Sequence, residues 1–174
     1  MTLMDADNRY GAVSRALHWS MALLLLGMLA SELWFEVLEH RLSGADLMAL
    51  HQSLGVVLLV LVIVRVGWRW LNRSRLAVPA HWALAAKAGH VVLYLLMLLM
   101  PLSGLAIAIG EGDSVALFGW TLLDAGSEIA WLEDSGENLH KILANVFWLM
   151  IGLHVAAALI HQHLLDDKVL KRMA

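Results

Sequence analysis

The chain has 174 residues, of which 60% are hydrophobic and 16% charged, with a formal net charge of -3 and a mean hydropathy of +0.71. Soluble domains are about 45–50% apolar, so this composition excludes an ordinary soluble fold and favours an integral membrane protein. The lack of cysteine excludes disulfides, iron–sulfur clusters, thiolate zinc sites and covalent haem attachment. Nine histidines are the main side chains left to bind a metal. Since no basic stripe is interleaved with aromatics, we expect no nucleic-acid partner.

Four apolar segments are long enough to cross a bilayer as helices, since a span needs about 20 residues. In chain order they cover residues 13–35, 50–71, 88–109 and 142–163. The first continues past the length of a signal-peptide core and has no small-residue cleavage site after it, so we interpret it as a retained span. The sequence therefore predicts an all-α integral membrane protein, a four-helix transmembrane bundle that forms one domain over residues 1–174.

Positive charges outside the spans are concentrated on one side of the predicted membrane. That side collects Arg9, Arg15, Arg69, Arg73, Arg75, Lys87, Lys168, Lys171 and Arg172. The other side has Arg41 and Lys141 as its cations and is otherwise acidic. Because Lys and Arg are enriched on the cytoplasmic side, both termini are predicted to be cytoplasmic and the loop over residues 110–141 to be external.

This external loop carries aromatic residues among its acids, namely Phe118, Trp120 and Trp131. One interpretation is an interfacial segment, for example a short amphipathic helix that lies on the lipid headgroups. The alternative is a docking surface for a basic periplasmic partner.

Histidines at two depths are the most informative feature of the spans, because an ionisable side chain inside a membrane is costly and indicates function. His140 lies at the external mouth of the fourth span, and His154 follows fourteen residues later in its cytoplasmic half. With 3.6 residues per turn and 1.5 Å per residue, the two lie about 40° apart around the helix and about 21 Å apart along it. One helix thus offers a candidate ligand near each face of the membrane.

Each of these histidines needs a partner at matching depth on a neighbouring helix. His51 matches His140 on the external side, while His18 matches His154 on the cytoplasmic side, with His90 as the competitor of His18. Paired imidazoles among apolar helices are typical of b-type haem sites. Zinc or copper is less favoured, since no carboxylate or thiol joins the buried set. The pattern predicts two haems b between the helices, with His90 otherwise contacting a propionate or a quinone.

A buried arginine accompanies the histidines. Arg65 stands fourteen residues after His51 and is predicted to face the same way near the cytoplasmic side. An arginine within a span needs an anionic partner, which a haem propionate would supply. The alternative is that its side chain snorkels into the headgroups. The remaining histidines at helix ends are interpreted as interfacial: His40, His81 and His163.

Short motifs occur in order along nearly the whole chain. They are Leu17-His18-Trp19, His51-Gln52-Ser53-Leu54-Gly55, Gly89-His90-Val91-Val92-Leu93-Tyr94 with Pro101 following, and Gly152-Leu153-His154-Val155-Ala156-Ala157-Ala158-Leu159 with His161. Their order and spacing resemble the bacterial cytochrome b561 family, and most closely its small stand-alone di-haem members. The resemblance implies a multi-pass protein of the bacterial inner membrane with a haem near each face, and it matches ligand positions to His18, His51, His140 and His154.

The resemblance also implies an activity, since some of these small members act as superoxide:ubiquinone oxidoreductases. Electrons would pass from a periplasmic donor, superoxide among the candidates, to ubiquinone at the cytoplasmic end. His161 matches a position near the expected quinone pocket, where it would donate a proton, although a structural role is the alternative. Lys141 and Arg41 are the cations that would attract superoxide to an acidic face. The competing hypothesis is an electron-relay subunit that serves a periplasmic dehydrogenase or a c-type cytochrome.

Overall fold

A computed structural model describes residues 2–6, 9–38, 44–72, 82–165 and 169–173. The described elements are α1 (Ala12–Leu38), α2 (Gly44–Leu71), α3 (Ala83–Gly110), β1 (Val115–Leu117), β2 (Trp120–Leu123), α4 (Ala130–His163) and α5 (Val169–Met173). The first four helices each contain a segment that is long and apolar enough to cross a membrane. The predicted fold class, an all-α membrane protein with four spanning helices, is confirmed, with a short hairpin added.

The helices pack in chain order, and their contacts leave α4 against one neighbour. Backbone contacts are extensive between α1 and α2, between α2 and α3, and above all between α3 and α4. Within the described residues, α4 makes no comparably extensive contact with α1 or α2. Among the described elements, α4 is therefore held in the bundle mainly through α3.

Two small clusters of buried hydrophobic side chains hold the bundle together. Met21 of α1 packs with Leu58 and Val62 of α2, and Leu96 of α3 packs with two residues of α4. Burying such a side chain contributes about 1.5–3 kcal/mol when it is moved out of water. Here the side chain would otherwise contact lipid, which is equally apolar, so this driving force is largely absent. Large hydrophobic side chains accordingly cover the outside of the spans, as lipid contact requires.

The segment predicted as one external loop, residues 110–141, differs in the structure. Its first half forms the antiparallel hairpin of β1 and β2, and its second half belongs to α4, which begins at Ala130 rather than near residue 142. Hydropathy marks where a chain is apolar, whereas a helix continues into water when its polar residues favour it. Here Glu133 lies in the first turn, where the helix dipole favours an acid, and Glu137 pairs with Lys141 one turn later.

The hairpin is closed by a two-residue turn and is fastened to α2. Phe118 and Gly119 both have positive φ, 48° and 89°, the combination that a tight hairpin turn requires. The amide of Ala116 donates to Oε1 of Gln52 at 3.1 Å, and the amide of Phe118 donates to Oγ of Ser53 at 2.9 Å. The hairpin therefore lies over the end of α2 that carries His51, and we call this the hairpin end.

The N- and C-terminal segments meet at the opposite end of the bundle, which we call the terminal end. The amide of Tyr10 donates to the carbonyl of Arg172 at 3.1 Å. Nε1 of Trp19 donates to the carbonyl of Met173 at 2.9 Å. These two hydrogen bonds join the start of the chain to α5, so both terminal segments lie on the same side of the spans.

Candidate functional site

At the hairpin end, the structure brings together two of the predicted ligands. The ring centres of His51 on α2 and His140 on α4 are 6.2 Å apart, and both side chains are half-buried. Their helices make no extensive backbone contact in the part of the chain that is described. The two imidazoles therefore lie close together on two different helices, as the depth matching of the sequence predicts.

At the terminal end, three histidines from three helices converge. The ring of His154 on α4 lies 6.3 Å from that of His18 on α1 and 5.7 Å from that of His90 on α3. His18 and His154 are half-buried, whereas His90 is exposed. His154 is close to both candidates for its partner, so the choice between His18 and His90 stays open here.

Both arrangements fit a haem iron held between two imidazoles. Since a metal–nitrogen bond to histidine is about 2.0–2.1 Å long, two rings that bind one metal from opposite sides have centres about 6 Å apart. The observed 6.2 and 6.3 Å agree with that separation. Among the described residues, a Cβ built on Gly55, one turn from His51, would meet nothing within 4 Å apart from its chain neighbours and the local helix backbone, which leaves space there for a flat group. The ligand assignments themselves stay predictions.

Arg65 lies beside the terminal-end histidines with part of its hydrogen-bonding capacity unused. Its Nε donates to the hydroxyl of Tyr94 at 3.1 Å, and its Nη2 lies 3.4 Å from Nδ1 of His18. Among the described residues, the buried Nη1 finds no hydrogen-bond partner. A buried, partly unpaired guanidinium favours an anion, so this contact set fits a haem propionate.

Two polar residues next to the ligands were not singled out from the sequence. Tyr94, which accepts a hydrogen bond from Arg65, ends the motif that begins at Gly89, but the motif itself predicts no role for it. Oγ of Ser103 lies 2.9 Å from Nδ1 of His140 and also donates to the carbonyl of Met100 at 2.7 Å. A serine in an otherwise apolar span, two residues after Pro101, is the signal that could have drawn attention to it.

The predicted catalytic residues have varied surroundings. His161 is half-buried, and its ring lies 5.7 Å from the exposed ring of Trp82, edge to face. Lys141 is 70% exposed and forms an ion pair with Glu137, so its positive charge is partly neutralised. Arg41 lies outside the described residues, as do His40 and His81, while His163 is exposed at the end of α4.

The hairpin end is electrostatically negative near the junction of α3 and α4. Partial desolvation raises the pKa of Glu111 above its ordinary value, and the nearby carboxylates of Asp113, Glu133 and Glu137 raise it further. Crowded carboxylates of this kind produce a negative potential. An approaching cation is attracted to this surface, whereas a small anion is repelled from it.

Comparisons with known proteins agree with this geometry. The family model described as "Prokaryotic cytochrome b561" matches residues 9–174. The chain is 34% identical to "Cytochrome b561 homolog 2" of Escherichia coli (strain K12), over 99% of this chain and 95% of that protein. It is 31% identical to "Probable superoxide oxidase CybB" of Yersinia pestis, over 95% of each chain. With "Cytochrome b562" of Cereibacter sphaeroides it shares 28% identity over 98% of each chain. The chain therefore belongs to the prokaryotic cytochrome b561 family, whose role is electron transfer in the membrane with haem of the b type.

Proposed function

We propose that this inner-membrane cytochrome binds two haems b and carries electrons through the bilayer from a periplasmic donor to ubiquinone. The observation that carries the proposal is a histidine pair toward each end of the bundle, with His140 of α4 in one pair and His154 of the same helix in the other. Both histidines belong to one continuous helix, so their separation along the axis is about 21 Å. That distance covers most of the apolar thickness of about 30 Å.

The protein contributes ligands, charge and an apolar surrounding, while haem, when bound, supplies one-electron redox chemistry. His51 and His140 would hold one haem at the hairpin end. His154, with His18 or His90, would hold the other at the terminal end. Arg65 would receive a propionate there, because its unpaired Nη1 is buried beside His18.

The terminal end is the proposed cytoplasmic side, where ubiquinone would be reduced. The positive-inside distribution of Lys and Arg supports this orientation, and the meeting of both terminal segments at one end is consistent with it. His161 lies at this end of α4, next to Trp82. A half-buried imidazole beside an aromatic ring is suited to donate a proton to a quinone oxygen.

Superoxide is the first candidate donor, because one relative of this chain bears the name "Probable superoxide oxidase CybB". Lys141 is exposed next to His140 in sequence, and Arg41 lies on the same predicted side. The pairing of Lys141 with Glu137 and the acids around Glu111 oppose attraction of an anion. These acids favour the second candidate, a relay that receives electrons from a basic periplasmic redox protein.

The deciding experiment follows the visible spectrum of the purified protein with ubiquinone, before and after a pulse of superoxide, together with the haem-to-protein ratio. For the proposal we expect two haems per chain, prompt reduction by superoxide and formation of ubiquinol. Two haems that respond to dithionite and ignore superoxide would favour the relay. A protein that purifies without haem would refute both functions.

A further inference from the structure

A short chain of hydrogen bonds leads from the backbone of α3 to a candidate haem ligand on α4. Ser103 is 3% exposed, so water has little access to its hydroxyl. Oγ lies 2.7 Å from the carbonyl oxygen of Met100 and 2.9 Å from Nδ1 of His140. Both distances are those of ordinary hydrogen bonds.

The chemistry of these three groups determines where the protons lie. A backbone carbonyl can only accept, so the single hydroxyl proton of Ser103 points to Met100. Oγ therefore presents a lone pair to His140, and Nδ1 of that ring must carry the proton that Oγ accepts. In a neutral imidazole with a proton on Nδ1, the other nitrogen, Nε2, is unprotonated and able to bind a metal.

We propose that Ser103 is a positioning residue that holds His140 in the tautomer whose unprotonated Nε2 can bind haem iron. The inference rests on the proposed haem site at the hairpin end. It extends that site, since none of the sequence motifs assigns Ser103 a role. Histidine ligands commonly donate their second N–H to a neighbouring acceptor, which orients the ring and increases its basicity.

The local fold explains how the serine reaches the ring. A serine within a helix often donates back to a carbonyl three or four residues earlier, and the bond to Met100 is of this type. Gly104 follows Ser103, and a Cβ built there would lie 3.5 Å from Cε1 of His140. The ring of His140 thus lies directly against this turn of α3, where Ser103 faces its Nδ1.

The contact at the terminal end is different, which offers an internal comparison. There the neighbour of Nδ1 of His18 is Nη2 of Arg65, a permanent donor, at 3.4 Å. An arginine, rather than a serine hydroxyl, is thus the polar neighbour of that ring. The loss of Ser103 should therefore affect the hairpin-end haem and leave the terminal-end haem unchanged.

The test compares Ser103→Thr with Ser103→Val in the purified holoprotein, because these two side chains have nearly the same shape and only threonine keeps a hydroxyl. The readouts are the midpoint potential of each haem and the low-spin electron paramagnetic resonance signals. The hairpin-end haem is identified as the one that His51→Ala removes. An imidazole that no longer donates from Nδ1 is a weaker ligand for ferric iron, so the potential should rise.

We expect Ser103→Val to raise the potential of the hairpin-end haem and shift its resonance signal, or to lose that haem, while Ser103→Thr stays close to the wild type. Valine and threonine variants that behave alike would overturn the proposal, whether both resemble the wild type or both lose the haem. Ser135→Ala, which removes an exposed helical hydroxyl that bonds back to Trp131, is the control and should change neither potential. A wild-type protein without a haem on His51 and His140 would instead refute the proposed function itself.

Discussion

The ring of His154 on α4 lies 6.3 Å from that of His18 on α1, although these two helices make no extensive backbone contact within the described residues. The proximity of the two rings thus depends on the length and direction of the side chains. Paired imidazoles inside an apolar bundle are costly to bury, and they are suited to bind a metal from two sides. Three predictions concern this histidine cluster and its counterpart at the hairpin end, a fourth concerns the hairpin itself, and a fifth concerns the nearby acids.

The fourth haem ligand can be identified by comparing His18→Ala with His90→Ala. The variant that lacks the true ligand should lose the terminal-end haem, since a low-spin haem in this setting depends on both axial imidazoles. The other variant should keep both haems and change at most the potential. The haem-to-protein ratio, measured by alkaline pyridine spectra, distinguishes the two. Retention of both haems by both variants would contradict ligation by this cluster.

His51→Ala and His140→Ala should each remove the same haem and leave the terminal-end haem in place. The reason is that the centres of these two rings lie 6.2 Å apart, whereas the terminal-end rings belong to a separate cluster. Reduced-minus-oxidised spectra of both variants should therefore be superimposable. His163→Ala, an exposed histidine at the end of α4, is the matched control and should keep both haems. Variants of His51 and His140 that lose different haems would show that they do not form a pair.

Replacing Arg65 by glutamine should lower the potential of the terminal-end haem, because a nearby positive charge favours the reduced form, which carries one positive charge less. Arg65→Lys keeps the charge, so its potential should stay close to that of the wild type, although it loses the bond to Tyr94. A redox titration of the two haems provides the measurement. A change in potential confined to the hairpin-end haem would contradict the placement of Arg65 beside the terminal-end haem.

Gln52→Ala should loosen the hairpin without removing haem. The variant deprives the amide of Ala116 of its acceptor, and such a bond contributes about 1 kcal/mol, equivalent to roughly fivefold faster opening. Amide hydrogen exchange over residues 115–123 should accelerate by that factor in detergent. Thr121→Ala, on the exposed second strand, is the control for a change of side chain in the hairpin. Unchanged exchange in Gln52→Ala would show that β1 and β2 are held by other contacts.

Glu111→Gln should stabilise the protein at neutral pH. The pKa of Glu111 is raised by partial desolvation and then by Asp113, Glu133 and Glu137, so its folded-state pKa exceeds the unfolded value near 4.5. A group of this kind favours the folded state below pH 4.5 and opposes it as the pH rises through the folded-state pKa. The variant should therefore melt at a higher temperature than the wild type at pH 7 and at nearly the same temperature at pH 4. Because Glu111 is exposed, we expect the difference in melting temperature to be small. A variant and a wild type that melt at the same temperature at pH 7 as well as at pH 4 would contradict a raised pKa.

Particular residues show how much of the site could be predicted from the sequence. The spacing of His140 and His154 is determined by helix geometry alone, since fourteen residues return nearly to the same face whatever the neighbours are. Their partners required a tertiary structure, because His18 and His90 lie at similar depth and only the packing of α1, α3 and α4 decides how close each comes to His154. The short hairpin was also not predicted, since a tight turn at Phe118 and Gly119 is stabilised by contacts from the distant Gln52 and Ser53.

By itself the sequence determined that the chain has four segments long and apolar enough to cross a membrane and that it places histidines at two depths, because hydropathy and the rise of an α-helix are local properties. The tertiary structure alone decided that Arg65 meets Tyr94 and His18, that Ser103 faces His140, and that α4 extends back to Ala130 beyond its apolar stretch. Those contacts join residues far apart in the chain, and their formation depends on which helix faces pack together, which no local pattern specifies.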